Sequence, residues 1–274
     1  MRSAAYVIPG YRVTFGITFF YLSLLLLIPL AAFLLYASGM GIGKFIFIAS
    51  EWRVFHACLV SFGTSLAAAV VNAAIGLLFA WVLVRYDFPG KRLLDGLLDL
   101  PFALPTAVAG IALTTLYAEN GWIGQFFYAA GIPSAFSWLG ITIALIFVGI
   151  PFVPRSVQPV LRELGPRLEE AAALFGAGRW LTFRRVIFPE LFSPLLTGAA
   201  LAFARGIGEY GSVVFIAGNL PYETEIAPLL IMVKLESYDY EAAAAIAILM
   251  MAASFLILLA LNGYQRWRVR QQGV

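Results

Sequence analysis

The chain has 274 residues, 62% hydrophobic and 12% charged, with a formal net charge of +3 and a mean hydropathy of +0.90. A soluble domain is about 45–50% apolar and about 25% charged, so this composition belongs to an integral membrane protein and excludes an aqueous enzyme fold. Nucleic-acid binding is excluded too, despite a pI near 9.0, because the basic residues cluster beside the apolar runs.

Crossing about 30 Å of hydrocarbon takes roughly 17–25 apolar residues as a helix. Six runs reach that length: Val13 to Tyr36, Cys58 to Val84, Leu97 to Tyr117, Trp138 to Val157, Leu195 to Ala217 and Ala242 to Tyr264. The first follows Arg2 and Arg12, as a secretory signal would, but a signal core is only about 7–15 residues long. This run is longer and contains Pro29, so it is expected to stay as a first membrane helix. The expectation is an all-α integral membrane protein of six transmembrane helices in one transmembrane domain, residues 1–274.

Between the first two runs lies "GMGIGKF", Gly39 to Phe45. It lacks the glycine spacing of a phosphate-binding loop, and no Ser or Thr follows Lys44. The single His56 and single Cys58 have no second residue of their kind, so they are expected to be an interfacial imidazole and a core thiol, not a metal site or a disulfide.

Orientation follows the basic residues. With the N-terminus inside, the cytoplasmic segments carry fourteen Lys and Arg: Arg2, Arg12, Arg85, Lys91, Arg92, Arg155, Arg162, Arg167, Arg179, Arg184, Arg185, Arg266, Arg268 and Arg270. The outer segments carry three, Lys44, Arg53 and Lys234. Both termini are therefore expected in the cytoplasm.

One cytoplasmic interruption, residues 165–191, separates the fourth and fifth runs. Gly165-Pro166 is a helix start, since proline is preorganised for the first helical position. Glu169 and Glu170 then fall where the helix dipole favours negative charge, and Gly176 stands where a left-handed cap would end the helix after about three turns. Leu168, Ala171, Ala172 and Phe175, at i, i+3, i+4 and i+7, give it one apolar face. A second helix is expected from Arg179 through Trp180, Phe183 and Ile187, broken at Pro189. On these grounds the unit is as well read as an interfacial helix on the bilayer as a knob presented to another protein.

The stretch "EAAALFGAGRWLTFRRVIFP" resembles the cytoplasmic coupling motif of ATP-binding-cassette importer permeases, with its positions at Glu170, Ala171, Ala172, Gly176, Val186, Phe188 and Pro189. Phe188 replaces the usual leucine. "RYDFPGKRLLDGLLDLPFALPTAVAGIAL" from Arg85 to Leu113 and "ARGIGEYGSVVFIAGN" from Ala204 to Asn219 extend the likeness over nearly the whole chain. They resemble the T-type subunit of the sulfate/thiosulfate permease family. The resemblance implies a non-catalytic permease in the bacterial-type cytoplasmic membrane. It implies pairing with a W-type permease, two copies of an ATP-binding subunit docked on the coupling motif, and a periplasmic sulfate-binding protein. No cofactor is expected on this chain, ATP being held by the partner. A molybdate or other oxyanion permease is the alternative within the class. A gradient-driven secondary anion carrier is the alternative outside it, and a membrane-embedded enzyme lacks any nucleophile–base or metal constellation.

Within the fifth run Arg205 and Glu209 stand at i, i+4, surrounded by Gly206, Gly208 and Gly211. A charge costs about 2.5–3.5 kcal/mol at a helix centre on insertion scales. The pair is therefore expected to fix the packing of this span or to stabilise a gate, with direct sulfate contact less favoured. Pro101 and Pro105 each remove a backbone donor in the third run. They are expected to kink it and to aim a helix N-terminus near Thr106 at the translocation path, or simply to shape the bundle. Ala107, Ala109, Gly110 and Ala112 would allow tight helix packing there. The outer segment Leu220 to Tyr240 is expected to be an interfacial helix, with Asn219, Tyr222 and Glu223 beside a surface for the binding protein.

Overall fold

The structure is a computed structural model that describes residues 10–165 and 167–271. Arg2 and the expected helix start at Pro166 lie outside the described residues. Among the described residues every regular element is a helix.

The first span runs from α1 (Tyr11–Leu22) through a π-helical turn, Ser23–Leu27, into α2 (Ile28–Ser38). No residue of its most apolar window is buried in the chain. A short helix, α3 (Ile42–Ala49), leads to α4 (Trp52–Arg85), which is 34 residues long. Span two thus starts earlier than hydropathy alone predicts. The turn after it is closed by Lys91, whose ammonium holds the Asp87 carboxyl below its ordinary value through a 2.8 Å hydrogen bond.

Span three departs from the expected continuous helix. It is divided into α5 (Lys91–Leu98), α6 (Leu100–Ala103) and α7 (Thr106–Tyr117). The interruption has a backbone cause: Leu104, immediately before Pro105, is extended (φ −84°, ψ 135°), as a residue preceding proline must be. Five helices, not six, are consequently long and apolar enough to cross a membrane among the described residues. After α8 (Gly124–Ala129), α9 (Trp138–Gly149) and α10 (Phe152–Leu164) form the fourth, joined across Pro151 into a candidate span of 27 residues.

The interruption between the fourth and fifth runs follows as α11 (Arg167–Leu174) and α12 (Arg179–Thr182). At eight residues, α11 is shorter than the expected three turns. Pro189 does not break the second helix as its sequence position predicts. The helix passes through it: α12 continues by a π-helical turn, Phe183–Ile187, into α13 (Phe188–Ile207). In that turn the Phe188 N–H reaches back to the Phe183 carbonyl, shifting the ladder by one residue before the donor that proline lacks. The same device precedes Pro29, where Ile28 N–H reaches Ser23.

Span five ends early, at Ile207, and resumes as α14 (Val213–Ile216). Beyond it, α15 (Ala227–Glu236) buries Ala227, Leu229 and Leu230 in the bundle, so the outer segment does not simply lie on the membrane surface. The last helix is α16 (Tyr240–Gln271). The core has three parts: one around Val54, Ala57, Leu230 and Ile246; a second around Val60, Ile141, Val213 and Ile216; and a third around Ala80, Val153, Leu161, Ile187 and Leu191. Helix α4 contributes to all three. Cys58 is half-buried against the first, and His56 stands between the rings of Trp52 and Trp138.

Candidate functional site

Two places in the fold gather the charged and punctuated residues. The first is where the broken spans three and five meet. The carboxylate of Glu209, 1% exposed, accepts hydrogen bonds from the Ser212 N–H and hydroxyl, both at 2.9 Å, and pairs with the half-exposed Arg205 at 2.5 Å. A buried carboxylate with three donors is a satisfied one, and its loss of hydration is offset by them. Glu209 therefore staples the end of α13 to the turn that opens α14.

That turn rests on the start of α7. A β-carbon at Gly211 would collide with the Thr106 side chain, and one at Gly110 would lie 2.5 Å from the Ser212 carbonyl oxygen. Glycine is required at both positions by close approach rather than by torsion. Pro105 is the residue that caps α7, so Pro105, Thr106, Arg205 and Glu209 belong to one junction. Pro101 lies one break earlier, buried in α6.

The second place is the unit formed by α11 and α12. Gly176 adopts φ +77°, and the two capping bonds, Gly176 N–H to Ala173 at 2.9 Å and Ala177 N–H to Ala172 at 3.0 Å, complete a Schellman motif. The expected cap is thus present, with Glu169 and Glu170 in the first turn. The apolar residues at the end of this helix face outward: Leu174 is 89% exposed and Phe175 93%. Glu170, Ala171 and Gly176 are exposed, Ala172 and Val186 half-buried, and Pro189 exposed on the following helix.

Sequence reasoning missed what holds this unit in place. Arg85, at the end of α4, pairs with Glu169 at 2.6 Å and donates to the Gly165 carbonyl at 3.2 Å. Its guanidinium lies 5.7 Å from the Trp81 ring, within cation–π range. Trp81 meets Phe183 edge-on at 5.4 Å, and Trp180 stacks on Phe183 at 5.8 Å. Between α4, α11 and the π-turn remains a cleft of about 610 Å³, lined among others by Arg85, Glu169, Ala173 and Phe183. The outer segment is tied down comparably: Arg53 grips Glu225 through two bonds of 2.8 and 2.7 Å, and the Trp138 indole donates to the Glu223 carbonyl at 2.6 Å. Asn219 and Tyr222 have positive φ in that turn, and the Tyr222 ring is half-exposed.

A family model described as "Binding-protein-dependent transport system inner membrane component" matches residues 72–271. The chain is 46% identical to the sulfate transport system permease protein CysT of Salmonella typhimurium over 263 residues, 96% of this chain and 95% of that one. It is 49% identical to the CysT of Synechocystis sp. over 251 residues, 92% and 88% of the two chains. Among solved structures, a bacterial alginate ABC transporter in complex with an alginate-bound periplasmic protein superposes with a TM-score of 0.78 at 17% identity, covering 96% of each chain. The MetNI methionine ABC transporter gives 0.58 at 18% identity over 78% of this chain and 95% of that one, so the fold is shared across distant sequences. The chain belongs to the family of binding-protein-dependent transport system inner membrane components, and within it to the CysT permeases.

Proposed function

We propose that the chain is the T-type half of an ATP-driven importer of sulfate and thiosulfate, crossing the cytoplasmic membrane six times with both termini inside. The third crossing is made by the discontinuous series α5, α6 and α7, and residues 1–274 form one permease domain. The chain is a transport permease subunit and not an enzyme, as its relatives are named. Sulfate as cargo is supported by those names, at 46% and 49% identity.

The observation that carries the coupling reading is the capped α11 with Leu174 and Phe175 held out in solvent. Leaving apolar side chains so exposed is unfavourable, and in a rigid helix it marks a surface that a partner covers. The occupant is an ATP-binding subunit, one of two copies, received by Glu170, Ala171, Ala172 and Gly176, with Val186 and Pro189 in the helix behind. ATP binds there, and no cofactor binds this chain. A W-type permease completes the pore against the uncovered first span. A periplasmic sulfate-binding protein docks near Asn219, Tyr222 and Glu223.

Arg205 and Glu209, with Pro101, Pro105 and Thr106, form the gate of the translocation path. An Arg–Glu pair at the meeting point of two broken helices lets the junction shift as a unit while its buried carboxylate stays paired. A gradient-driven carrier would have no use for the exposed α11. The test is uptake of radiolabelled sulfate by cells lacking the chain, with the gene restored or absent and molybdate as competitor. Loss of uptake rescued by the gene and insensitive to modest molybdate supports the reading. A molybdate defect with unchanged sulfate uptake keeps the architecture and replaces the substrate.

A further inference from the structure

Arg155, on α10, makes a contact that none of the roles above requires. Its Nε and Nη2 grip the Asp99 carboxylate at 2.9 and 2.6 Å, while Nη1 reaches Asp95 Oδ1 at 2.7 Å. Nη2 also donates to the Asp95 backbone carbonyl at 2.9 Å, and Nη1 to Gln158 Oε1 at 3.1 Å. Gln158, 2% exposed, backs the guanidinium and returns its own amide to Asp95 Oδ1 at 3.4 Å. Asp95 and Asp99, at i and i+4, present one acidic face of span three's leading segment to α10. The rings of Phe102 and Phe152, 5.4 Å apart and edge-on, join the same two segments a little further in.

We propose that Arg155 is a positioning residue for transport, clasping the leading part of span three to the cytoplasmic end of span four so that both follow the coupling helix. This rests on the coupling reading above. The topology supplies the reason. Helix α10 runs at Gly165 into α11, whereas α5 runs through α6 to the Pro105 break and Thr106. Along the chain these two ends are connected only through α7, α8 and α9. The clasp closes that circuit directly, so displacement of α11 reaches Thr106 and the Gly211–Ser212 turn through side chains.

The chemistry suits the task. A planar guanidinium that holds one carboxylate with two parallel bonds and a second by another resists sliding, as a single ammonium contact does not. Lys91 with Asp87 is the contrasting case: one bond, to a carboxylate that is 98% exposed. Such isolated surface pairs contribute about 0–1 kcal/mol. Asp99 and Arg155 each stand at the end of an apolar run, with side chains 48% and 34% exposed.

The test uses the complete transporter, with its ATPase subunits and binding protein, reconstituted in vesicles. It measures labelled sulfate taken up per ATP hydrolysed for the wild type, Arg155→Gln, Arg155→Lys and Asp99→Asn. The clasp predicts that Arg155→Gln still co-purifies with the ATPase and hydrolyses ATP, while uptake per ATP falls about tenfold, within the range of ordinary site-to-site coupling. Asp99→Asn falls in the same direction, and Arg155→Lys lies between. Wild-type uptake per ATP in Arg155→Gln overturns the proposal. Loss of uptake only in proportion to lost ATPase co-purification assigns Arg155 a merely structural role and overturns it too. As a second arm, in a Cys58→Ala background, Asp99→Cys and Arg155→Cys are joined with a short bifunctional thiol reagent. Uptake recovered on cross-linking supports a permanent clasp, and uptake left low after cross-linking overturns it. Failure of the wild type itself to couple sulfate uptake to ATP overturns the function reading, and the clasp with it, and is distinct from a coupled wild type with an equally coupled variant.

Discussion

Gly110 and Ser212 stand so close that a methyl group on the first would lie 2.5 Å from the carbonyl oxygen of the second. The two residues belong to different broken spans, and their contact is backbone against backbone. A larger residue at 110 must push the turn between α13 and α14 away from α7, and overpacking of this kind costs about 1–3 kcal/mol. Gly110→Val is expected to reach the membrane and assemble with the ATPase while sulfate uptake falls steeply. Uptake at the wild-type rate would show that the two spans separate without consequence.

At the cap of α11, Gly176→Asp places a side chain at φ +77°. Aspartate tolerates the left-handed region better than most residues, and a β-carbon here meets open space, so the effect comes chiefly from a charge added to the surface proposed for the ATPase. The variant should remain in the membrane with weaker ATPase assembly, read as co-purification. Normal co-purification would remove Gly176 from the interface.

Arg205→Ala takes one donor from Glu209 but leaves the two from Ser212. The carboxylate stays partly satisfied, so transport should fall without loss of the complex, as measured by labelled sulfate uptake beside co-purification. Glu209→Ala removes the staple itself and should lower thermal stability more than Arg205→Ala does. The reverse order would place the structural weight on the arginine.

Arg85→Ala deletes the contacts that hold α11 against α4, namely the Glu169 pair and the bond to Gly165. The Glu169 Oε1 that meets Arg85 is itself buried, so the loss leaves a buried carboxylate oxygen without its cation, and the larger effect is freedom of α11 to move alone. ATPase binding should persist while uptake per ATP decreases. Charge exchange, Arg85→Glu with Glu169→Arg, should recover part of the coupling, and no recovery would mean that the pair carries none.

The spans were legible because hydropathy sums over many residues and tolerates local exceptions. The Gly176 cap was legible because the glycine and the alanines that bond across it are neighbours in sequence. Pro105 announced a break, and the break is there. Pro189 carried the same signal, yet the helix survives it, because a π-turn depends on which carbonyl the preceding N–H selects and no residue type encodes that choice. Arg85 with Glu169, and Arg155 with Asp95 and Asp99, were out of reach for a different reason: their partners are distant in the chain. A trace of the latter was present, since Asp99 and Arg155 each stand at the end of a run otherwise fit for lipid.

The survival of the helix at Pro189 alters what the α12 end can do. From Arg179 to Ile207 it is one rod of 29 residues, about 43 Å long at the rise of an α-helix. Trp180 rides on one tip, and Glu209 lies just past the other. A rod of that length is a lever: tilted by about 5° at its cytoplasmic end, it carries the far tip through about 4 Å. A rocking at the Trp180 end would be carried along this helix toward the Glu209 junction, the π-turn at Phe183–Ile187 and the interior Pro194 being the two places where it can bend.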